Sequence, residues 1–565
     1  VDAGPADVVF RGGAVYLVDA ARSRAQAVAV RGDRILAVGS DADVRELTGP
    51  RTTVIDLDGR MLLPGFQDAH VHASGGGLDR LRCDLTGCRD RSGYLERVRS
   101  YAAEHPDDEW IVGAGWSMDA FPAGVPSRLD LDEAVPGRPV FLINRDHHGA
   151  WASTAALRLA GIGERTADPP DGRIERDADG QPAGALQEGA MRLVEAVIPQ
   201  PGLAARVDGV LAGQQYLHEL GITAWQEAIV GDYPGVPDCY QAYRTAAGDG
   251  RLTGRVTGAL WWDRTRGEEQ IDELAERRAG APGGQFRATT IKIMQDGVCE
   301  NFTAAMLSPY LGAGAEAGDG TGLSYLEPGL LRRAVTRLDG LGFQVHVHAI
   351  GDRAVREALD AFQDARSANG WTDHRHHIAH LQVVHPADIP RFRELGVTAN
   401  AQPLWACHDR QMTELTLPFI GPERYAWQYP FGSLVRSGAT LAIGSDWPVS
   451  TPNPLELLHV AVNRTAPPGP PGEPTPRSPD PRSAEPLLPA ERLDLPTALA
   501  AATAGSAYVN HLDESGSIRP GYLADLVVLD RDLFGQPAAE IAQATVELTM
   551  AGGRIVYSRP GWPGP

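Results

Sequence analysis

The segment Leu63-Pro-Gly-Phe-Gln-Asp-Ala-His70-Val-His72 ends in two histidines separated by one residue. Side chains alternate faces along a strand, so the two imidazoles share a side if the segment is extended. On a helix, residues two apart diverge and could not grip one ion. Four more strand-like runs end in a candidate ligand: Ile291-Lys292-Ile-Met, Gln344-Val-His346-Val-His348-Ala, Ile378-Ala-His380-Leu and Ala442-Ile-Gly-Ser-Asp446.

Their spacing restricts the fold. Lys292 to His348 is 56 residues, His348 to His380 is 32 and His380 to Asp446 is 66. A parallel strand with its return helix takes roughly 30 to 40 residues, so these steps read as one long unit, one ordinary unit and two units. The skipped strand is Gly396-Val-Thr-Ala-Asn-Ala401. Counting back from a last strand at Asp446 puts Lys292 on strand four, His348 on five and His380 on six, with His70 and His72 on strand one. All then meet at one rim of an α/β fold, a (β/α)₈ TIM-type barrel.

At this point the chain resembles the amidohydrolase superfamily, whose barrel carries HxH on strand one, Lys or Glu on four, His on five and six, and Asp on eight. The closer likeness is to family 3 of that group, which contains N-substituted formamide deformylases. It rests on Leu63 to His72 (LPGFQDAHVH), Lys292 to Gly297 (KIMQDG), His348 to Arg353 (HAIGDR) and Gly444 to Val449 (GSDWPV). The resemblance implies a metal-dependent hydrolase and gives Lys292 a particular part. An ammonium cannot coordinate a cation, but in this group the lysine is commonly carboxylated, and the resulting carbamate can bridge two ions. The cofactor expected is therefore Zn²⁺ or a similar divalent metal, as one or two ions, with Lys292 carboxylated if two.

At 565 residues the chain exceeds one barrel of about 250 residues, so further domains are expected. Residues 8 to 58 and the last fifty read as short strands broken by turns, and family likeness makes them one composite β-sandwich. Between His72 and Lys292 lie 219 residues, which leaves room for an insertion of about 100 residues. The expected division is 1–60 and 512–565 for the sandwich, 61–79 and 201–511 for the barrel, and 80–200 for an inserted α/β subdomain over the barrel mouth. Gly75-Gly-Gly77 is read as a turn near the metal. Ala466 to Pro486 holds nine prolines in 21 residues and is neither helix nor interior strand. The plain reading is a surface loop; leaving the rim, it could instead serve as a lid or a subunit contact in a homodimer.

A net charge of −21 disfavours nucleic acid or an anionic membrane as partner. There is no run of 18 apolar residues and no charged start followed by an apolar block, so neither a membrane span nor a signal peptide is expected. Five cysteines without CxxC spacing suggest a reducing, cytoplasmic setting. Cys299 is read as a small buried apolar residue.

The metal ligands expected are His70, His72, Lys292, His348, His380 and Asp446. His346 shares a face with His348 but lies outside the HAIGD string, and is placed one layer deeper, behind the ligands. Asp352 either orients a ligand or caps the helix that follows it. Asp446 can accept a proton from the attacking water and return it to the leaving nitrogen. His147 or His148, in Asn144-Arg-Asp-His-His-Gly, could donate to the oxyanion, and the family pattern matches His148 best.

No GxSxG elbow and no phosphate loop ending in Lys-Ser or Lys-Thr competes with this reading. The leading expectation is hydrolysis of a small-molecule linear amide. The alternatives are a cyclic amide or imide, a C–C cleavage on the same metal, or a catalytically silent metal-binding regulator. Trp225, Trp405 and Trp447 stand at or beyond inferred strand ends. They suggest a mouth that prefers an aromatic or apolar group.

Overall fold

Eight parallel strands form the central sheet in chain order: β1 (Phe66–Val71), β2 (Ile222–Val230), β3 (Arg255–Trp261), β4 (Phe286–Met294), β5 (Gln344–Ala349), β6 (His377–His380), β7 (Thr398–Ala401) and β8 (Leu441–Ile443). Just beyond β8 the ring closes, with the Asp446 N–H donating to the His70 carbonyl at 2.8 Å and the His72 N–H to the Trp447 carbonyl at 2.8 Å. The protein is therefore a (β/α)₈ barrel with Lys292, His348 and His380 on the fourth, fifth and sixth strands. The computed structural model describes residues 4–562 apart from 89, 234–236, 313–319 and 470–479. The centre of the proline-rich stretch thus lies outside the described residues.

Alternation along the strands separates the two faces. In β4 and β5, Ile291, Ile293, Val345 and Val347 belong to the main apolar core, and Thr290, Lys292, Gln344, His346 and His348 occupy the positions between them. The helix Asp352–Asn369 seals one sector by burying Ala354, Val355, Ala358, Leu359, Phe362 and Ala365 at helical spacing.

Both chain ends build two further sheets. Val8–Arg11, Ala27–Arg31, Arg34–Gly39 and Thr53–Asp56 form one. The other joins Ala14–Tyr16, Arg24–Ala25 and Met61–Pro64 to Leu526–Leu529, Val546–Ala551 and Arg554–Ser558. Phe10, Val28, Ile55, Leu62, Leu526 and Leu548 share their core. Because Met61–Pro64 is paired there, the chain passes from sandwich to barrel within two residues.

A separate six-stranded sheet runs from Cys83–Asp84 through Ile111–Trp116, Val140–Asn144 and Gly149–Ala152 to Pro182–Glu188 and Gly172–Arg176. The glycine run departs from its expected form. Gly75 to Gly77 lie within a helix, Ala73–Arg80, packed against the helix Leu203–Glu219. A Cβ on Gly77 would collide with the Gly209 carbonyl, and one on Gly213 with the Ala73 carbonyl, so glycine permits a close helix crossing here rather than a turn. All five cysteines are free, and Cys299 packs with Tyr310 and Ile350. No helix among the described residues is long and apolar enough to cross a membrane.

Candidate metal centre

At the C-terminal rim of the barrel, Asp446 Oδ1 lies 3.0 Å from His70 Nε2 and 3.0 Å from His72 Nε2. His380 Nδ1 is 4.0 Å from Asp446 Oδ2, buried, and has no hydrogen-bond partner. The His348 ring centroid is 4.3 Å from that of His380. Lys292 is buried beside them, and burial pushes its pKa down to about 7 despite the opposing pull of Asp446. Two of these residues adopt left-handed backbone, His380 at φ 80° and Asp446 at φ 56°, which costs each about 1–3 kcal/mol. The rim holds His380 in place through Gln402, whose Oε1 accepts the His380 N–H at 2.7 Å.

A chain of hydrogen bonds fixes which nitrogen of His70 faces the site. Gln344 Nε2 donates to the backbone carbonyls of Arg375 and Val509, both at 2.8 Å, so its Oε1 must accept. It accepts from Gln226 Nε2 at 3.1 Å, which turns Gln226 Oε1 toward His346 Nδ1 at 2.7 Å. A carbonyl oxygen only accepts, so the proton of His346 is on Nδ1 and its Nε2 accepts from His70 Nδ1 at 2.9 Å. His70 Nε2 is left with a bare lone pair facing the Asp446 carboxylate.

Two acceptors 3.0 Å apart with no proton between them repel, and a cation resolves the conflict. Burial, then Lys292, presses His70 down to about pKa 3, and His346, His348 and His380 also lie well below the ordinary histidine range, chiefly through burial. The imidazoles are therefore neutral, the form that ligates. Burial works to raise the Asp446 pKa, yet the carboxyl lies well below its ordinary range and is ionised. This donor set of neutral imidazoles and one carboxylate fits a divalent ion.

The inserted sheet supplies another side chain. His148 Nδ1 donates to Glu188 Oε1 at 2.8 Å, both residues being buried, and the His148 ring lies 6.0 Å from that of His348. Burial disfavours the imidazolium, but Glu188 overrides it and the His148 pKa is raised. His147, beside it, is pushed down to about 3 by burial and lies 4.0 Å from Asp79.

The three tryptophans part company. Trp405 stacks on the His380 ring at 5.3 Å and 10°. Trp225 does not reach the mouth, because Gln226 faces inward and its neighbour must face the helices, where its indole N–H donates to Tyr243 at 3.3 Å. Trp447 is also withdrawn, packed on Tyr216 at 5.2 Å and against Gly76. Asp352 is the first residue of its helix and accepts the Leu307 N–H at 2.9 Å, whereas Gly351 holds the cap position.

Sequence reasoning overlooked Gln226, Gln344 and Glu188. It also passed over Asp296, inside the KIMQDG string, which accepts the backbone N–H groups of Ala305, Ile350 and Gly351 and lies 3.5 Å from His348. A second His-Asp group, Asp339 with His374 and His376, lies at the opposite end of the barrel. There His376 Nδ1 accepts the Val345 N–H, so its Nε2 proton is committed to Asp339 and no lone pair remains for a metal.

Residues 53–557 match the family model described as "Amidohydrolase family". The chain belongs to the amidohydrolase family. This amidohydrolase is 30% identical over 561 residues to the "Protein LONG AFTER FAR-RED 3" of Arabidopsis thaliana, covering 98% of this chain and 92% of that one. It is 27% identical to the "N-substituted formamide deformylase" of Arthrobacter pascens, over 98% of this chain and 99% of that one. Among solved structures it is similar to an uncharacterized metal-dependent hydrolase from Pyrococcus furiosus, with TM-score 0.69 and 26% identity over 93% of this chain and 99% of that one. As an amidohydrolase it is a metal-dependent enzyme for carbon–nitrogen bond hydrolysis.

Proposed function

We propose that this amidohydrolase cleaves linear amides of the N-substituted formamide type with an aromatic or apolar substituent. The observation that carries the reading is the forced acceptor pair, His70 Nε2 against Asp446 Oδ1, with His72 and His380 converging on the same carboxylate. His70, His72, His348, His380 and Asp446 would hold a divalent ion, and Lys292 as its carbamate would join them if two are bound. Such an ion supplies Lewis acidity and lowers the pKa of water to about 7.

The chain's own groups account for proton movement. Asp446, ionised and facing the cluster, takes the proton of the attacking water and delivers it to the departing nitrogen. His148 donates toward the carbonyl oxygen as charge develops there, its Nδ1–H held by Glu188. Lys292, pushed down to about 7, is partly neutral at neutral pH, as an amine must be to add carbon dioxide. The resemblance to a deformylase favours a small acyl group, and the face of Trp405 over His380 suits a flat amine substituent.

A screen of formanilide, N-benzylformamide and N-methylformamide against the zinc-loaded enzyme tests the substrate. The aromatic pair should exceed N-methylformamide in kcat/KM by about tenfold or more. Trp405→Ala should remove that advantage through KM, while Trp447→Ala should lower the thermal unfolding midpoint. Equal kcat/KM for all three amides contradicts the aromatic preference, and turnover of none contradicts the amide reading.

A further inference from the structure

Just beyond the end of β4 at Met294, the tract Gln295-Asp-Gly297 meets His348 at three places. The Gln295 N–H donates to the His348 carbonyl at 3.1 Å, which continues the ladder between β4 and β5 by one bond. The Gly297 carbonyl accepts from His348 Nε2 at 3.2 Å. Asp296 Oδ1 lies 3.5 Å from the same nitrogen. A Cβ at 297 would strike Thr303 Oγ1, so this turn requires glycine after Asp296.

The backbone past His348 hangs on the Asp296 carboxylate, which is fully buried. Its Oδ1 accepts the Ile350 N–H at 2.9 Å, and its Oδ2 accepts those of Gly351 at 2.8 Å and Ala305 at 2.9 Å. Gly351 caps the helix Asp352–Asn369. One side chain therefore fastens the loop after β4 to the end of β5 and the start of the next helix. Burial pushes the Asp296 pKa up, and the three N–H groups oppose it. Both oxygens already face protons, so this cage fits the ionised form.

A carbonyl only accepts, so the proton of His348 is on Nε2 and its lone pair on Nδ1. Asp296 sets a negative charge beside that proton. An asparagine at 296 could not replace it: whichever way its amide turned, the NH₂ group would face a backbone N–H.

We propose that Asp296 is a positioning residue of the metal centre, holding the His348 imidazole in the ligating tautomer and orientation before an ion arrives. The assignment rests on His348 serving that centre. Co²⁺ titrated into metal-free protein and followed by visible absorption tests both. Asp296→Asn should weaken Co²⁺ binding about tenfold or more and shift the absorption bands. Asp339→Asn, at the opposite end of the barrel, should lower the thermal unfolding midpoint and leave affinity and bands as in wild type. Wild-type affinity and bands in Asp296→Asn, or equal weakening in both variants, overturn the positioning role. Wild type that binds no Co²⁺ contradicts the metal centre itself, whereas an ion indifferent to Asp296→Asn contradicts the role of Asp296 alone. If Asp296→Asn fails to fold, hydrogen exchange read by mass spectrometry on wild type decides. The peptide carrying Ile350 and Gly351 should exchange as slowly without metal as with it. Fast exchange on metal removal would show the ion, not Asp296, ordering this turn.

Discussion

Asp446→Asn should lower kcat by about 10⁴-fold while changing KM only a few-fold. The amide keeps the shape of the carboxylate and its backbone bond to His70, so the barrel closure survives. It cannot take a proton from water, and it removes the anion about which three imidazoles are arranged. Steady-state kinetics on formanilide with the metal content measured alongside would separate loss of proton transfer from loss of metal. A variant that retains a tenth of wild-type kcat would remove Asp446 from the proton-transfer role.

Glu188→Gln should lower kcat by about 10²-fold and shift the pH profile. Burial alone would depress the His148 pKa, and Glu188 is what raises it. Without that carboxylate the imidazolium gives up its proton at lower pH. The alkaline fall of kcat that reports His148 as donor should therefore move toward acid. Glu188 acts through His148, as a positioning residue, and a merely structural part would change stability without moving the limb. His148→Ala should abolish the limb, and an unchanged profile in Glu188→Gln would contradict the pairing.

Much of the barrel could be read from the chain because parallel strands repeat at a regular interval and each carries its polar residue to the same rim. Lys292, His348 and His380 therefore appear as strand ends before any coordinates. Tertiary convergence is less legible. Glu188 lies 40 residues from His148 and the two meet only because the inserted sheet pairs Gly149–Ala152 with Pro182–Glu188. Gln226 and Gln344 lack any motif, and their function is visible only through the tautomer they impose on His70. Trp225 misled because its rank along the strand says little without the face: once Gln226 is seen to point inward, its neighbour must point out. Trp447 misled because left-handed backbone at Asp446 redirects the chain, and Gly76 leaves the space its ring fills.

Catalysis should depend on the ion-binding character of the cluster formed by His70, His72, Lys292, His348, His380 and Asp446. Its most direct test is reconstitution of chelated protein with Zn²⁺, following hydrolysis of formanilide as metal is added. Activity should be absent at the start, rise in proportion to bound metal and saturate at one or two ions per chain, with His70→Asn failing to recover. Full activity in protein shown by elemental analysis to be metal-free would contradict it.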